Sequence, residues 1–143
     1  MRLEQGGRYV ITNRLSGSVI DVKGADNTVC GWEKNGGDSQ QWILIDNDGH
    51  RFIRNVQSGL YLAPSKPSFD DIHDGTAVVV APRPFQWDVK EQDDDEYRMY
   101  VAGFGRAVNI DLAEGGNPAN GTGVVLWGQV DESRNQLWGF ERI

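Results

Sequence analysis

The sequence predicts an all-β domain in which one unit of four short strands occurs three times, and two observations carry that reading. The stretch Val10-Ile11-Thr12-Asn13-Arg14-Leu15-Ser16-Gly17 returns as Phe52-Ile53-Arg54-Asn55-Val56-Gln57-Ser58-Gly59, and each then enters a short apolar run, Val19-Ile20-Asp21 or Tyr61-Leu62-Ala63. A third copy reads Tyr100-Val101, then Val108-Asn109-Ile110-Asp111. Each copy also closes on a tryptophan leading into a strand: Gln40-Gln41-Trp42-Ile43-Leu44, Phe85-Gln86-Trp87-Asp88-Val89 and Gln136-Leu137-Trp138-Gly139-Phe140. At the copy starts, matched positions stand 42 residues apart from the first copy to the second and 48 from the second to the third. A period of roughly 20–50 residues marks a repeat architecture.

In the first copy the strands are expected at Tyr9–Asn13, Val19–Val22, Val29–Trp32 and 41–45, each short and rich in Val, Ile, Tyr and Trp. Ala77-Val78-Val79-Val80 and Gly123-Val124-Val125-Leu126-Trp127 supply corresponding strands later in the chain. Clusters such as Lys34-Asn35-Gly36-Gly37-Asp38 and Ala113-Glu114-Gly115-Gly116-Asn117-Pro118 punctuate them as turns. Asp46-Asn47-Asp48-Gly49 is too short for a linker and reads as a hairpin joining the first copy to the second. The acidic run Glu91-Gln92-Asp93-Asp94-Asp95-Glu96 plays the same part before the third copy, as a solvated loop. No segment shows a sustained 3.6-residue period, so no substantial helix is expected.

About twelve short strands in threefold repetition point to a β-trefoil, a six-stranded barrel capped by three hairpins. One copy cannot bury its own apolar face, whereas three together close a barrel and remove the exposed sheet edges. A chain of 143 residues suits a single such domain, residues 1–143, with copies at approximately 7–48, 49–95 and 96–143. Trp42, Trp87 and Trp138 are expected in the core, Cys30 as a small buried hydrophobe, and Asn13 and Asn55 as structural turn residues.

The net charge of −7, with no Lys/Arg cluster to offset it, argues against nucleic-acid binding and against anionic membranes as partners. No run approaches the ~18 apolar residues of a spanning helix, so no membrane insertion is expected. A single cysteine excludes an intrachain disulfide. Met1 to Gly7 lacks an apolar signal core, and with the missing disulfide this sets the expectation of a cytoplasmic protein, export by a non-classical route remaining open. His50 and His73 are isolated in sequence, so no zinc or other metal site is expected. No nucleophile elbow appears, and Asp70-Asp71 reads as solvated loop rather than as a glycosidase pair. The expectation is a protein without catalysis and without a cofactor.

Gln-x-Trp at the copy ends, intact in Gln40-Gln41-Trp42 and Gln136-Leu137-Trp138 with Phe85 in place of the middle Gln, resembles the signature of the ricin B-like lectins. The likeness runs from about Gly7 to Glu141, and the pattern is most similar to the small fungal lectins of that group. Two motifs in phase with Asp21 and Asp111 make the resemblance specific for the fold. It implies binding of glycans ending in galactose or N-acetylgalactosamine, and a homodimer. It also implies Asn before the motif Gln, so Ser39 is a departure while Asn135 follows the pattern.

Sugar chemistry explains why such residues suit a site. A carboxylate accepts two adjacent hydroxyl protons, an aromatic ring covers the C–H face of a pyranose, and an amide both donates and accepts. The first copy offers Asp21, Trp32, Glu33, Asn35, Ser39 and Gln40. The third offers Asp111, Trp127, Gly128, Gln129, Asn135 and Gln136, with the long loop from Glu114 to Gly123 as a wall or lid. Gln40 and Gln136 are expected to pin the aspartates more than to touch sugar. Trp32 and Trp127 are open to two readings, platform or packing. The middle copy has Ala63 for Asp and Phe85 for Gln, so no sugar site of this kind is expected there. Two sites in one chain, or a dimer, raise avidity by ~10²–10⁴ where geometry allows. The rival reading is a protease inhibitor on the same fold, acting through the Pro-containing loop from Pro64 to Asp74. A purely structural or protein-binding trefoil with relic motifs is the third.

Overall fold

The computed structural model describes residues 3–143. Its first copy holds β1 (Arg8–Asn13), β2 (Val19–Lys23), β3 (Thr28–Trp32) and β4 (Trp42–Asn47). The second holds β5 (His50–Asn55), β6 (Tyr61–Pro64), β7 (Val78–Ala81) and β8 (Trp87–Asp93). The third holds β9 (Glu96–Val101), β10 (Val108–Leu112), β11 (Thr122–Gly128) and β12 (Trp138–Arg142). Six strands pair antiparallel in a ring, β1 with β4, β4 with β5, β5 with β8, β8 with β9, β9 with β12 and β12 back to β1. That is a closed barrel. The hairpins β2–β3, β6–β7 and β10–β11 touch one another through Thr28–Val79, Thr122–Gly31 and Ala77–Val125 and cap it. The architecture is the β-trefoil that the repeat predicts.

The three closing tryptophans are buried to 1 % exposure or less, and each indole N–H donates to one backbone carbonyl: Trp42 to Ile20, Trp87 to Leu62, Trp138 to Ile110. Burial of so large a ring with its one donor satisfied is the condition for an aromatic core. Around them pack Tyr9, Ile11, Leu44, Ile53, Met99 and Leu126, among others. Cys30 is a free, buried thiol. Asp48 and Gly49 both adopt positive φ, 50° and 84°, between the paired residues Asn47 and His50. Two left-handed residues in a two-residue connection match the strand twist, which is why Asp-Gly serves there.

The acidic run 91–96 joins the second copy to the third as a hairpin, as expected, with residues 91–94 exposed. Glu91–Asp93 ends β8, Glu96 starts β9, and Asp93 pairs with Glu96 across a tight hairpin. The segment from Pro64 to Asp74 is exposed from Ser65 to Asp71 and is anchored on the third copy. A 3₁₀ turn, Phe69–Asp71, lies in it, Phe69 meets Phe104 edge-on at 5.2 Å, and Asp74 Oδ1 accepts the Gly128 amide at 2.8 Å.

Candidate carbohydrate site

Threefold equivalence is fixed by pairing. Val19 faces Trp32, Tyr61 faces Ala81 and Asn109 faces Trp127, so the second and third strands of each copy run in one register. The positions two residues further on are Asp21, Ala63 and Asp111. Side chains two apart on a strand share a face, so Lys23 stands beside Asp21, and Ala113, the residue after β10, takes the corresponding place beside Asp111.

The third copy builds an open site. Asp111, 7 % exposed, accepts from the Asn135 amide on Oδ1 at 3.1 Å and from the Gln136 amide on Oδ2 at 3.0 Å. Both amides come from a 3₁₀ turn, Arg134–Gln136, that precedes β12. The Asn135 amide also donates to Leu112 O at 3.1 Å, and that of Gln136 to Gly128 O at 3.1 Å, so the turn clips the carboxylate between two strands. Burial pushes the Asp111 carboxyl above its ordinary pKa; the bonds from Gln136 and Asn135 oppose the shift and the charge of Asp74 adds to it. A cavity of about 370 Å³ opens beside it, lined by Asp111, Ala113, Glu114, Gly115, Trp127 and Asn135 among others. That volume lies near the lower end of the ~300–1,000 Å³ range of ligand pockets. Trp127 is 42 % exposed and offers its ring to the cavity. Glu114 and Gly115 form the wall at φ 56° and 66° within the short turn Ala113–Gly116. A glutamate held left-handed is a strained position of the kind that gathers at ligand sites.

Gln136 has no capacity left for a ligand. Its Oε1 accepts from Val130 N at 2.9 Å and from Arg98 Nη1 at 2.7 Å. Arg98 is a residue the sequence reading missed. It is 2 % exposed and also donates to Asn109 Oδ1 at 2.9 Å, which ties the site to β9. Its one signal is a charge in an otherwise apolar and aromatic strand, Tyr97-Arg98-Met99-Tyr100. Gly128 and Gln129, both expected in the site, lie outside the cavity lining. Gly128 holds Asp74, and Gln129 bonds Tyr100 Oη at 2.9 Å and Asp131 at 2.9 Å.

In the first copy the same parts form a closed arrangement. Asp21 is fully buried, Gln40 donates to its Oδ2 at 2.9 Å, and its Oδ1 has no hydrogen-bond partner. Ser39, which replaces the asparagine, places no donor there. Lys23 Nζ lies 3.4 Å from Asp21 Oδ2 and 4.5 Å from the centroid of the Trp32 ring, covering both the carboxylate and the platform. Glu33 and Asn35 are exposed and take part through their backbone: Gln40 donates to Glu33 O at 2.8 Å, and Asn35 N donates to Gln40 Oε1 at 2.9 Å.

Asn13 and Asn55 do more than turn the chain. Each accepts from the amides of its own turn through Oδ1, and each donates from Nδ2 to the closing turn of the preceding copy. Asn13 reaches Asn135 O at 3.0 Å and Asn55 reaches Ser39 O at 3.0 Å. The third equivalent, facing Trp87 as the other two face Trp138 and Trp42, is Val101, which has no donor to offer. The middle copy has thus lost its carboxylate, its glutamine and its brace together.

Known proteins share this fold. The sequence matches the family described as ricin-type beta-trefoil lectin domain-like over residues 2–81 and again over 51–127. The overlap of the two matches follows from the repeat, since each spans about two copies. In three dimensions the chain is similar to the Macrolepiota procera ricin B-like lectin solved in complex with lactose, with 30% identity, a TM-score of 0.92 and full coverage of both chains at 100%. The Rhizoctonia solani agglutinin is similar at 26% identity and TM-score 0.86, covering 100% of this chain and 99% of that one. A designed threefold-symmetric protein, ThreeFoil, superposes at TM-score 0.84 with 25% identity, covering 96% of this chain and 99% of its own. Repeat, barrel and tryptophan core agree with these matches, and the chain belongs to the ricin-type β-trefoil lectin family.

Proposed function

We propose that the protein binds carbohydrate reversibly in the cavity beside Asp111, and that its ligands are glycans ending in galactose or N-acetylgalactosamine. The carrying observation is the state of that carboxylate. Two amides hold it in one orientation and use one lone pair on each oxygen, which leaves the others for two neighbouring hydroxyls of a pyranose. Asn135 Oδ1 stands beside it as a further acceptor, and the exposed Trp127 ring suits the C–H face of the sugar. Preorganised, charge-assisted acceptors at the foot of a small cavity are what a sugar needs in order to exchange its water. Lactose, a disaccharide ending in galactose, is the ligand named for the Macrolepiota procera lectin, and this favours the galactose reading.

The test is retention on immobilised lactose, followed by calorimetric titration. Asp111→Ala is expected to abolish retention while the near-ultraviolet signal of the buried tryptophans stays in place. Asp21→Ala is expected to leave retention intact. Wild-type retention of Asp111→Ala would refute the site.

A further inference from the structure

We propose that the middle copy, at the position equivalent to the two sugar sites, is a binding site for a small aromatic carboxylate. This goes beyond the carbohydrate reading and does not depend on it.

All four side chains that define the other sites are replaced here in one direction. Asp21 and Asp111 become Ala63, Trp32 and Trp127 become Ala81, Ser39 and Asn135 become Pro84, and Gln40 and Gln136 become Phe85. Mere loss of a site is met by collapse or by a residue that fills the space, as Lys23 does in the first copy. Here the space stays open. A cavity of about 290 Å³ remains, lined by Ala63, Val79, Ala81, Pro84 and Phe85, with Arg83 at its edge. Two replaced positions, Ala63 and Ala81, are the ones that make the room. The walls are rigid. Pro84 fixes its own backbone, and the Phe85 ring is held edge-on to the buried Trp87 at 5.0 Å between centroids.

Shape and charge name the ligand class. An apolar hollow of this size takes one ring with a short tail, and flat walls of proline and phenylalanine suit a flat ring. Arg83 is exposed and has no ion-pair or hydrogen-bond partner among the described residues. A guanidinium is a planar fork that matches a carboxylate through two parallel bonds. None of the described acidic residues lines the hollow, and charges beyond the Debye length of about 8 Å at physiological ionic strength are screened, so the local cation sets the preference. The ligand puts its ring against Phe85 and its carboxylate on Arg83.

The experiment is an amide NMR titration of the full chain with 3-phenylpropionate, and in parallel with its uncharged analogue 3-phenylpropan-1-ol. Saturable shifts are expected at the amides of Ala63, Val79, Ala81 and Phe85, in the presence of saturating lactose as well as without it. Arg83→Gln is expected to weaken the acid by about threefold to tenfold and to leave the alcohol unchanged. Ala81→Trp restores the residue that both other copies carry and fills the hollow; it is expected to abolish binding of both compounds with lactose retention unaltered. The proposal is overturned if millimolar 3-phenylpropionate shifts none of these amides, if acid and alcohol bind alike, or if a folded Ala81→Trp protein binds as before. Should Ala81→Trp fail to fold, Arg83→Gln, an exposed change, decides the matter by itself. Failure here with lactose retained removes this site and leaves the carbohydrate site standing.

Discussion

The first and third copies start from the same scaffold and end with opposite sites. In both, an aspartate on the second strand of the copy is bonded by a glutamine from a 3₁₀ turn, and a tryptophan lies on the strand opposite. In the third copy the residue two beyond the aspartate is Ala113, and a cavity of about 370 Å³ stands open. In the first it is Lys23, whose ammonium sits against both the carboxylate and the indole. The second difference is the neighbour of the glutamine. Asn135 completes the hold on Asp111, while Ser39 leaves one oxygen of Asp21 without a partner. A shared motif therefore specifies the frame of a site, and two residues beside it decide whether the frame is open.

The largest expected effect comes from moving the lysine. Ala113→Lys places an ammonium where the third-copy cavity is lined by Ala113, within reach of Asp111. Lactose binding is expected to fall about tenfold to a hundredfold, the scale of losing a charge-assisted bond. Calorimetry checks this, and undiminished affinity would show that the lysine is not what distinguishes the two copies.

Acidity separates the copies next. The folded pKa of Asp111 lies above that of an ordinary aspartate, about 3.9, because burial disfavours its charge. A raised carboxyl contributes stability in full below its unfolded pKa, and that contribution is lost as the pH climbs through the folded value. Acidification from neutrality thus eases the fold at this position while it removes the acceptor that a sugar needs. Lactose affinity is expected to drop toward tenfold per pH unit below the folded pKa of Asp111, beginning at a higher pH than an unshifted aspartate would give. Titrations across mildly acidic pH, with unfolding followed at each point, should show binding lost before the fold.

A smaller contrast lies in the braces. Asn13→Ala and Asn55→Ala remove equivalent bonds, one to the turn that carries Asn135 and one to the turn that carries Ser39. Each is expected to cost about 1–3 kcal/mol of stability, since both orphan buried polar groups. Only Asn13→Ala is expected to weaken lactose binding, by a few-fold. Thermal unfolding and titration of the two variants give this comparison directly, and equal binding losses would contradict it.

Most of the frame was legible because it is repeated. Three Trp positions in phase gave the copies, strand order and barrel, and the aspartates in phase with the intact glutamines marked the two candidate sites. What the repeat could not show is what differs between copies. Lys23 and Ala113 look like ordinary strand-end residues until the pairing puts each beside its aspartate. Asn13 and Asn55 read as turn formers because their second bond crosses to another copy, 122 residues away in sequence for Asn13 and Asn135. Arg98 is hidden for a related reason: its partner Gln136 is in the same copy but 38 residues on. Gln129 shows the converse: it follows Trp127 closely in sequence, yet the end of its strand turns it toward Tyr100 and away from the cavity.

The smallest effect on affinity is the most informative about the number of sites. Lys23→Ala removes the ammonium that covers Asp21 and Trp32, leaving Ala at the position where the third copy carries Ala113. The exposed ring and the freed carboxylate then resemble the third-copy arrangement, apart from Ser39 and from the wall that Glu114 and Gly115 give the third copy. Because the Asp21 oxygen that lacks a partner gains no amide, the reopened site is expected to bind lactose more weakly than the third. The measured change is therefore one of stoichiometry, from one sugar per chain toward two, with the affinity of the tighter site unaltered. Combining Lys23→Ala with Ser39→Asn supplies the missing amide and should bring the two affinities together. Calorimetry on the single and double variants reads both quantities. A wild-type chain that already binds two lactose molecules would mean that Lys23 swings aside at no cost, and the lysine would then not be what separates the two copies.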